Sequence, residues 1–225
     1  MKGHVLAVMG QNGLGKSTFL NIITGNIKPD NKNFEIREFS YKKQNLETAD
    51  LNVEEYITKN NKNILDDRWY YRNIIEKLDI ERLFEEPLRI LSGGELQKVN
   101  IAASLTKDVK IILMDEPTAF IDIEDRIKVA EIIKDYVIQK SASAVIVDHD
   151  IQFVDYLSDS LLVFDGIPGK AGRVTGLFRK KEGMNMILKS LNISYRKDPE
   201  TNRARINKEG SQLDALQKKK GEYYP

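Results

Sequence analysis

The sequence predicts an α/β fold with a mainly parallel sheet, and three features support that class. Four short apolar runs typical of strands lie at Val5–Met9, Ile111–Met114, Ala144–Val147 and Leu161–Phe164. Helical periodicity separates these runs, most clearly over Lys16–Thr24 and Glu124–Gln139. A glycine-rich loop joins the first run to the first helix. Strands that alternate with helices favour parallel pairing, which places functional loops at the carboxyl ends of the strands.

The middle of the chain predicts a helical region. We expect an extended segment at Phe34–Tyr41, and from Val53 to Leu105 the pattern is helical and polar. The only tryptophan, Trp69, stands beside Tyr70 and Tyr71. Aromatic clusters are usually buried. We therefore expect this one in the core of a helical subdomain rather than on a surface that stacks on RNA.

Composition excludes several kinds of site. The 225 residues include no cysteine, so disulfides, thiolate zinc sites and iron–sulfur ligation are excluded within this chain. The two histidines, His4 and His149, argue against a histidine-rich metal site. No apolar run is long enough to span a bilayer, and the opening MKGHVLAVMG reaches a glycine loop before a signal-peptide pattern develops. These features predict a cytoplasmic chain that does not enter a membrane.

Charge is distributed unevenly along the chain. The formal net charge is +1, but residues 176–225 hold 12 Lys and Arg against 6 Asp and Glu, whereas residues 1–175 hold 23 against 28. The last fifth is therefore a basic extension. A basic end is more often a solvated tail than a nucleic-acid site, so the charge alone favours RNA contact only weakly.

The glycine loop has the sequence of a phosphate-binding loop. Gly10–Ser17 reads GQNGLGKS, which satisfies G-x-x-x-x-G-K-[ST] between a predicted strand and a predicted helix. In such a loop backbone N–H groups surround phosphate oxygens, the lysine reaches the terminal phosphates and the hydroxyl ligates Mg²⁺. A glycine turn that matches by chance is disfavoured by this context. The predicted phosphate-binding residues are Gln11, Asn12, Gly13, Gly15, Lys16, Ser17 and Thr18.

Two adjacent acids end a later apolar strand. Asp115 and Glu116 follow the run that starts at Ile111. Asp115 is suited to the Mg²⁺ shell, and Glu116 could polarise a water in line with the γ-phosphate. The alternative is an exposed turn that happens to carry two carboxylates. The phosphate loop in the same chain weakens that alternative.

A second anion-binding pattern lies between these two motifs. Leu91–Gln97 reads LSGGELQ and precedes a predicted helix, so Ser92, Gly93, Gly94 and Glu95 stand at a helix start. A hydroxyl and backbone N–H groups at a helix start can face an anion. Taken alone, this segment fits an ordinary helix N-cap better.

Together the motifs resemble the nucleotide-binding domain of an ABC ATPase, a P-loop NTPase. Gly10–Ser17 resembles its Walker A loop, Leu91–Gln97 its signature motif and Ile111–Glu116 its Walker B strand. Gln44 resembles the Q-loop glutamine, and His149 the switch histidine. The resemblance implies ATP and Mg²⁺, with the metal held by Ser17, Gln44 and Asp115 and catalysis by Glu116, His149 and Gln44.

The same resemblance implies a nucleotide site shared between two domains. Ser92, Gly93, Gly94 and Glu95 would act on the nucleotide of a partner domain. Asp122, in the D-loop-like segment Ala119–Asp122, would line the interface. His149 would bind the γ-phosphate on closure. The other interpretation of a lone histidine, a satisfied core residue, is disfavoured by its position among the motifs.

The basic end resembles that of ABC subfamily E, the ribosome-recycling ATPases. Segments that carry this likeness are Phe164–Lys170, Glu182–Asn185, Ile193–Pro199, Arg203–Lys208 and Gln217–Tyr224. The resemblance implies a nucleotide-binding domain over residues 1–165, with its helical subdomain at about 45–106, and a hinge over 166–225. Arg203, Arg205 and Lys208 would then contact a partner domain or ribosomal RNA.

Subfamily E implies a cytosolic machine with two such domains and an iron–sulfur domain, which splits ribosomes through contacts with the small subunit and termination factors. This chain departs from that plan because it has no cysteine and one Walker A loop. It also starts at the strand before the loop, so the amino-terminal β-subdomain is expected to be incomplete. We therefore expect the second domain and the iron–sulfur domain on a separate chain. A truncated chain or a degraded, inactive relic is the competing explanation, and the intact Lys16, Glu116 and His149 argue against a relic.

Two other functions are compatible with the motifs. One is the ATPase subunit of an ABC transporter, which would homodimerise on a permease. The other is a nucleotide-gated binding module that does not hydrolyse ATP. Glu116 argues against the second, because a clamp without chemistry does not need an acid that polarises water.

Overall fold

The structure, a computed structural model, describes residues 3–30, 38–48, 50–198 and 204–225. Its helices are α1 Lys16–Ile23, α2 Val53–Thr58, α3 Arg68–Tyr70, α4 Gly93–Ser104, α5 Ile123–Gln139, α6 Ile151–Leu157, α7 Lys180–Ser190 and α8 Gln212–Lys220. Its strands are β1 His4–Met9, β2 Ser40–Lys42, β3 Ile111–Asp115, β4 Ser143–Val147, β5 Ser160–Ile167, β6 Ala171–Arg179, β7 Tyr195–Lys197 and β8 Ala204–Ile206. Within the described ranges, no helix is both long and apolar enough to cross a membrane.

Packing divides the chain into two compact units. The first unit comprises Met1–Val5 and Ser17–Asp148, and the second comprises Leu6–Lys16 and His149–Pro225. The phosphate loop thus packs with the carboxyl-terminal part of the chain. The functional division at residues 165 and 166, inferred from the family resemblance, stays a prediction.

The first unit contains three parallel strands. β2 pairs with β3, with Tyr41 opposite Leu113, and β3 pairs with β4, with Leu113 opposite Val145. β3 is apolar and buried over most of its length, as parallel strands covered on both faces require. α5 buries one face against this core, and its polar residues face solvent. The predicted mainly parallel α/β fold is confirmed.

The helical region is less regular than its sequence pattern predicts. Between α2 and α4 the chain forms 3₁₀ turns and a π-helical turn at Tyr71–Glu76 rather than long helices. Two local features interrupt the helical pattern. The carboxylate of Asp67 accepts N–H groups and so begins α3. Asp79 has a left-handed φ of 55°, which lies outside the helical region. Of the extended segment predicted at Phe34–Tyr41, residues 34–37 lie outside the described ranges, and the described strand is β2.

Of the aromatic cluster predicted to lie in the core, Tyr70 does so, whereas Trp69 and Tyr71 are only half-buried. Tyr70 is fully buried, and its hydroxyl donates to the carbonyl of Ala102 in α4 at 2.8 Å. Trp69 is half-buried, and its ring lies 6.1 Å from that of Tyr136 in α5. Tyr70 thereby joins the short helical pieces to α4, and Trp69 joins them to α5.

The second unit is built around β1 and β5, which are parallel with Leu6 opposite Ser160. β5 continues into an antiparallel pairing with β6, and a register shift lies between Val163 and Phe164. α7 packs against β5 and β6. The hairpin of β7 and β8 and the helix α8 follow.

The carboxyl-terminal segment is a packed structure with its own polar core. Asn207 donates to the hydroxyl of Ser194 at 2.9 Å, and Ser194 in turn donates to the buried carboxylate of Asp214. The side-chain carbonyl of Asn185 accepts the backbone N–H groups of Tyr223 and Tyr224. Buried polar groups that are mutually satisfied specify one arrangement. The described part of this basic extension is therefore more than a solvated tail.

Candidate nucleotide-binding and catalytic site

The predicted phosphate loop connects β1 to α1 and adopts a conformation that needs glycine. Gly13 and Gly15 have φ values of 76° and 94°, in the region that side chains disfavour. Lys16 is buried, and its Nζ donates to the carbonyls of Gly10 and Gln11, each at 2.8 Å. The ammonium is therefore held against its own loop. The loop residues Gln11, Asn12 and Gly13 are exposed, as are Ser17 and Thr18 at the start of α1.

The hairpin of β5 and β6 supports this loop from within the second unit. The N–H of Gly169 donates to the carbonyl of Gly13 at 3.0 Å. A Cβ atom built on Gly172 would lie 1.9 Å from the carbonyl oxygen of Leu14, so the two backbones are in direct contact. This support was not predicted from the sequence. Its signal was the glycine spacing at residues 166, 169 and 172.

The two predicted acids lie at the end of β3 in the first unit. Asp115 is buried and is the last residue of the strand. Glu116 follows in a left-handed conformation with φ of 47°, which is uncommon for a residue with a side chain and is found preferentially at functional sites. The surrounding structure must stabilise this conformation.

Contacts from three elements hold Glu116. Its N–H donates to the carbonyl of Val147 at 2.7 Å, and its own carbonyl accepts a hydrogen bond from the side chain of Gln97 at 2.8 Å. The side-chain N–H of Gln44 donates to the carboxylate of Glu116 at 3.0 Å. The structure thus brings together the Q-loop-like glutamine and the predicted catalytic carboxylate.

Lys42 is a further contact that the sequence arguments missed. Its Nζ donates to the carbonyls of Asp115 at 3.0 Å and of Glu116 at 3.3 Å. Burial lowers the pKa of Lys42 to about 8, and the nearby carboxylates of Asp115, Asp148 and Glu116 only partly oppose this. The Lys42 ammonium therefore stabilises the two backbone carbonyls at the end of β3. Its only sequence signal was a lysine two residues before Gln44.

The segment after the acids is fixed by a buried carboxylate. Thr118 donates both its backbone N–H, at 3.1 Å, and its hydroxyl, at 2.8 Å, to Asp148. His149 is the next residue and is exposed, so it is not a core histidine. Asp150 then starts α6 by accepting the N–H of Phe153 at 2.9 Å. His149 therefore stands in a short, well-defined connection that follows β4.

The signature-like segment forms the start of α4. Ser92 is the N-cap, and Ser92 and Glu95 form a reciprocal capping box. Arg82 donates to Glu95 at 2.8 Å and to Asp79 at 2.6 Å. The hydrogen bonds from Ser92 and Arg82 lower the pKa of Glu95 to about 2. The signature-like segment therefore forms the ordinary helix N-cap that the sequence alone favoured.

The signature-like and D-loop-like segments are in contact within the first unit. A Cβ atom on Gly94 would lie 2.9 Å from the carbonyl oxygen of Phe120, and one on Gly93 would lie 3.3 Å from the Phe120 ring. Phe120 has a left-handed φ of 62° and is 73% exposed. Asp122, also exposed, is the N-cap of α5. Packing against Phe120 therefore favours glycine at both positions, whether or not a ligand binds there.

Of the three predicted hinge contacts, two lie in the described part of the chain. Arg205 forms an ion pair with Asp198 at 3.0 Å and is exposed, and Lys208 is exposed. Arg203 lies outside the described residues. Arg205 thus has an intrachain partner as well as a surface position.

The predicted metal ligands have the chemistry that Mg²⁺ prefers. Ser17, Gln44 and Asp115 offer a hydroxyl, an amide carbonyl and a carboxylate, which are all hard oxygen donors. The described residues contain no group of three or more His, Cys, Asp or Glu side chains arranged for a metal ion. Mg²⁺ commonly keeps waters and binds substrate phosphates beside one or two protein ligands, so a sparse donor set fits this ion.

These features define a class of protein. A glycine loop at a helix start and a strand that ends in adjacent acids are the parts of a P-loop nucleotide-binding domain. The chain belongs to the ABC transporter family, whose model matches residues 1–119.

Two curated relatives extend the similarity to almost the whole chain. An uncharacterized ABC transporter ATP-binding protein of Methanocaldococcus jannaschii is 45% identical over 99% of this chain and 38% of its own length. The translation initiation factor RLI1 of Saccharomyces cerevisiae is 34% identical over 98% of this chain and 37% of its own length. The chain thus spans little more than a third of the length of these relatives.

Solved structures agree with these relatives. The chain matches a protein in the crystal structure of archaeal ribosomal stalk protein aP1 with archaeal ribosome recycling factor aABCE1, at 40% identity and a TM-score of 0.94. That match covers 100% of this chain and 44% of the other. A model of ribosome-bound archaeal Pelota and ABCE1 matches at 39% identity and a TM-score of 0.93, over 99% and 38% of the two chains. The predicted resemblance to subfamily E is confirmed.

Proposed function

We propose that this chain is the second nucleotide-binding domain and hinge of a ribosome-recycling ABC ATPase, and that it acts in the cytoplasm. The observation that carries the proposal is the match to an archaeal ribosome recycling factor over the whole chain, at a TM-score of 0.94. The match includes the carboxyl-terminal segment, whose sequence carries the likeness to subfamily E. The family model, which ends at residue 119, does not reach that segment.

The proposed reaction is Mg-dependent hydrolysis of ATP. Lys16 and the backbone N–H groups of its loop would bind the phosphates, together with Ser17 and Thr18. Mg²⁺, held by Ser17, Gln44 and Asp115, would neutralise charge on the phosphates. Glu116 would orient and polarise the attacking water, and His149 would hydrogen-bond the γ-phosphate. The contact of Gln44 with Glu116 at 3.0 Å supports a shared role for these two side chains.

We further propose that the site is completed by a second nucleotide-binding domain. Ser92, Gly93, Gly94 and Glu95 at the start of α4 would approach the nucleotide bound by that partner domain, where backbone N–H groups and the helix dipole favour an anion. Asp122 and the exposed Phe120 would lie near the same interface. The isolated chain should therefore hydrolyse ATP slowly. That the partner domain and its iron–sulfur domain lie on a separate polypeptide stays a prediction from the sequence.

The proposed targets are the small ribosomal subunit and termination factors. The matched structures support this, because they contain a related factor with the ribosomal stalk protein and with Pelota on the ribosome. The basic extension, with Arg205 and Lys208 on its surface, would contribute to contacts with RNA or the partner domain. Contacts to RNA phosphates would make ribosome binding weaken steeply with salt.

The test is purification of tagged chain with its partners. Glu116→Gln should slow hydrolysis and retain the closed, ATP-bound state, so ribosomal small-subunit proteins and a second ATPase domain should copurify in the presence of ATP. Lys16→Ala, which removes the phosphate-binding ammonium, is the matched control and should lose these partners. Recovery of a membrane permease would instead support a transporter subunit and contradict the proposal.

A second measurement separates an ATPase from a nucleotide-gated clamp. Addition of the copurified partner to the purified chain should raise ATP turnover, and the increase should be absent with Glu116→Gln in this chain. Equal turnover of the wild-type and Glu116→Gln assemblies would show that this site does not hydrolyse ATP. It would thereby favour the binding module.

A further inference from the structure

A cavity of about 200 Å³ in the first unit has a lining that the proposed mechanism does not explain. It is formed by β2 and the segment after it, by the end of α2 and by the last turns of α4. Four lysines line it, namely Lys42, Lys43, Lys59 and Lys107, whereas Glu47 is its one acidic residue. The lining is therefore strongly positive.

Three of these lysines are available to a ligand. Lys43, Lys59 and Lys107 are exposed, and none of them forms an ion pair with a carboxylate in the described part of the chain. Glu47 accepts a hydrogen bond from the hydroxyl of Tyr56 at 3.3 Å. Four lysines against one carboxylate leave the lining with a net positive charge, which a bound anion would offset.

The chemistry and size of the cavity suit a phosphate group. Lysine ammonium groups bind phosphate as point charges, and four lysines line this cavity. Asn45 and Asn60 add side-chain N–H donors. The volume is below the roughly 300–1,000 Å³ of pockets for drug-sized ligands. A group of the size of phosphate, with some water, suits this space.

One lysine connects the cavity to the candidate catalytic residue. Lys42 is one of the lining residues, and its Nζ donates to the carbonyls of Asp115 at 3.0 Å and Glu116 at 3.3 Å. An anion that attracts this ammonium would compete with those two carbonyls. Glu116 is already held in a left-handed conformation, so a change in one of its few supports should alter its position.

We propose that this cavity binds a phosphate group, either inorganic phosphate or the phosphate of a phosphomonoester, and that bound phosphate acts on the Glu116 segment through Lys42. The cavity is a site separate from the phosphate loop, since its lining includes none of Gly10–Ser17. The proposal goes beyond ATP hydrolysis and does not require it.

The test is a titration of the 225-residue chain with inorganic phosphate, followed by the backbone amide resonances. Lys16→Ala is used as the background, so that binding at the phosphate loop does not contribute. Saturable shifts are expected at Asn45 and Asn60, and a shift with the same midpoint is expected at Glu116. Glycerol phosphate in a parallel titration distinguishes a phosphomonoester from free phosphate, and acetate tests whether any anion suffices.

Paired charge reversals provide the matched comparison. Lys59→Glu with Lys107→Glu should raise the dissociation constant for phosphate at least about tenfold. Lys181→Glu with Lys189→Glu, two exposed lysines of α7 in the second unit, makes the same change in net charge and should leave it unchanged.

Three results would overturn the proposal. Shifts that do not saturate, or that both double variants weaken equally, would show a general charge effect. Equal binding of acetate would show that phosphate is not selected. Saturable shifts at Asn45 and Asn60 without a shift at Glu116 would refute the connection through Lys42.

Discussion

Replacement of Gly172 by alanine should damage the phosphate loop from a distance in the sequence. A Cβ atom at this position would lie 1.9 Å from the carbonyl oxygen and 2.6 Å from the carbonyl carbon of Leu14. Ordinary contact begins at 3.4 Å, so the loop or β6 must shift by about 1.5 Å. Both atoms belong to backbone, which cannot rotate away as a side chain can. The shift should disturb the backbone N–H groups that we propose bind the phosphates.

The expected loss of nucleotide affinity follows from the cost of overpacking. An extra carbon in a well-packed position typically costs about 1–3 kcal/mol. If nucleotide binding must restore the loop, affinity should fall between about fivefold and about a hundredfold, because 1.4 kcal/mol corresponds to a factor of ten. Titration of a fluorescent ATP analogue measures this loss. Thermal unfolding should show that Gly172→Ala remains folded, with a lowered midpoint.

A neighbouring substitution separates the steric effect from a general effect on β6. Ala171→Ser also adds one atom but at an exposed side chain, so ATP affinity and the unfolding midpoint should stay at wild-type values. A folded Gly172→Ala protein that binds the analogue with wild-type affinity would refute the argument. The contact of β6 with the loop would then not determine how the loop binds phosphate.

Three further predictions concern single side chains. In the proposed assembly with a second nucleotide-binding domain, Glu116→Gln should lower ATP turnover by at least about a hundredfold, as loss of a general base does, while ATP binding persists; an unchanged rate would exclude that role. Glu95 has a pKa of about 2 instead of 4.5, so its carboxylate stabilises the fold above about pH 4.5 and ceases to do so as the pH falls toward 2. Denaturant unfolding of wild type and Glu95→Gln should therefore differ at pH 7 and converge at pH 2, and a constant difference would contradict the capping box. Tyr224→Phe removes a hydrogen bond to Asp155 and should lower the unfolding free energy by about 1 kcal/mol in calorimetry, whereas no loss would show that this contact is absent in solution.

The candidate site was predictable where its residues form local motifs. The spacing of Gly10, Gly15 and Lys16 predicts both the loop and its place before a helix, because the glycine conformations and the helix start are local properties. Ser92 and Glu95 likewise form the capping box that their spacing of three residues favours. Motifs of this kind need no information about distant packing.

Other residues of the site depend on contacts that no local pattern encodes. Lys42 and Gln97 reach the Glu116 backbone from β2 and α4, and Gly172 meets Leu14 through the β5–β6 hairpin. Each contact joins residues far apart in the chain, so a single sequence offers no spacing to detect. The carboxyl-terminal fold was missed for a similar reason. Its short elements are joined by the polar network of Asn207, whose members show no hydrophobic periodicity.

The geometry of α4 suggests how binding and chemistry are connected within the first unit. Ser92 begins the helix, and Gln97, buried in its second turn, donates to the carbonyl of Glu116 at 2.8 Å. A helix moves as a rigid body over such a short span, so displacement of the Ser92 end must also move the Gln97 amide. In the proposed dimer, contact of Ser92 with the partner's nucleotide would therefore alter the support of Glu116 in this domain. Because the left-handed conformation of Glu116 depends on such hydrogen bonds, nucleotide bound in one site would adjust the proposed catalytic carboxylate of the other.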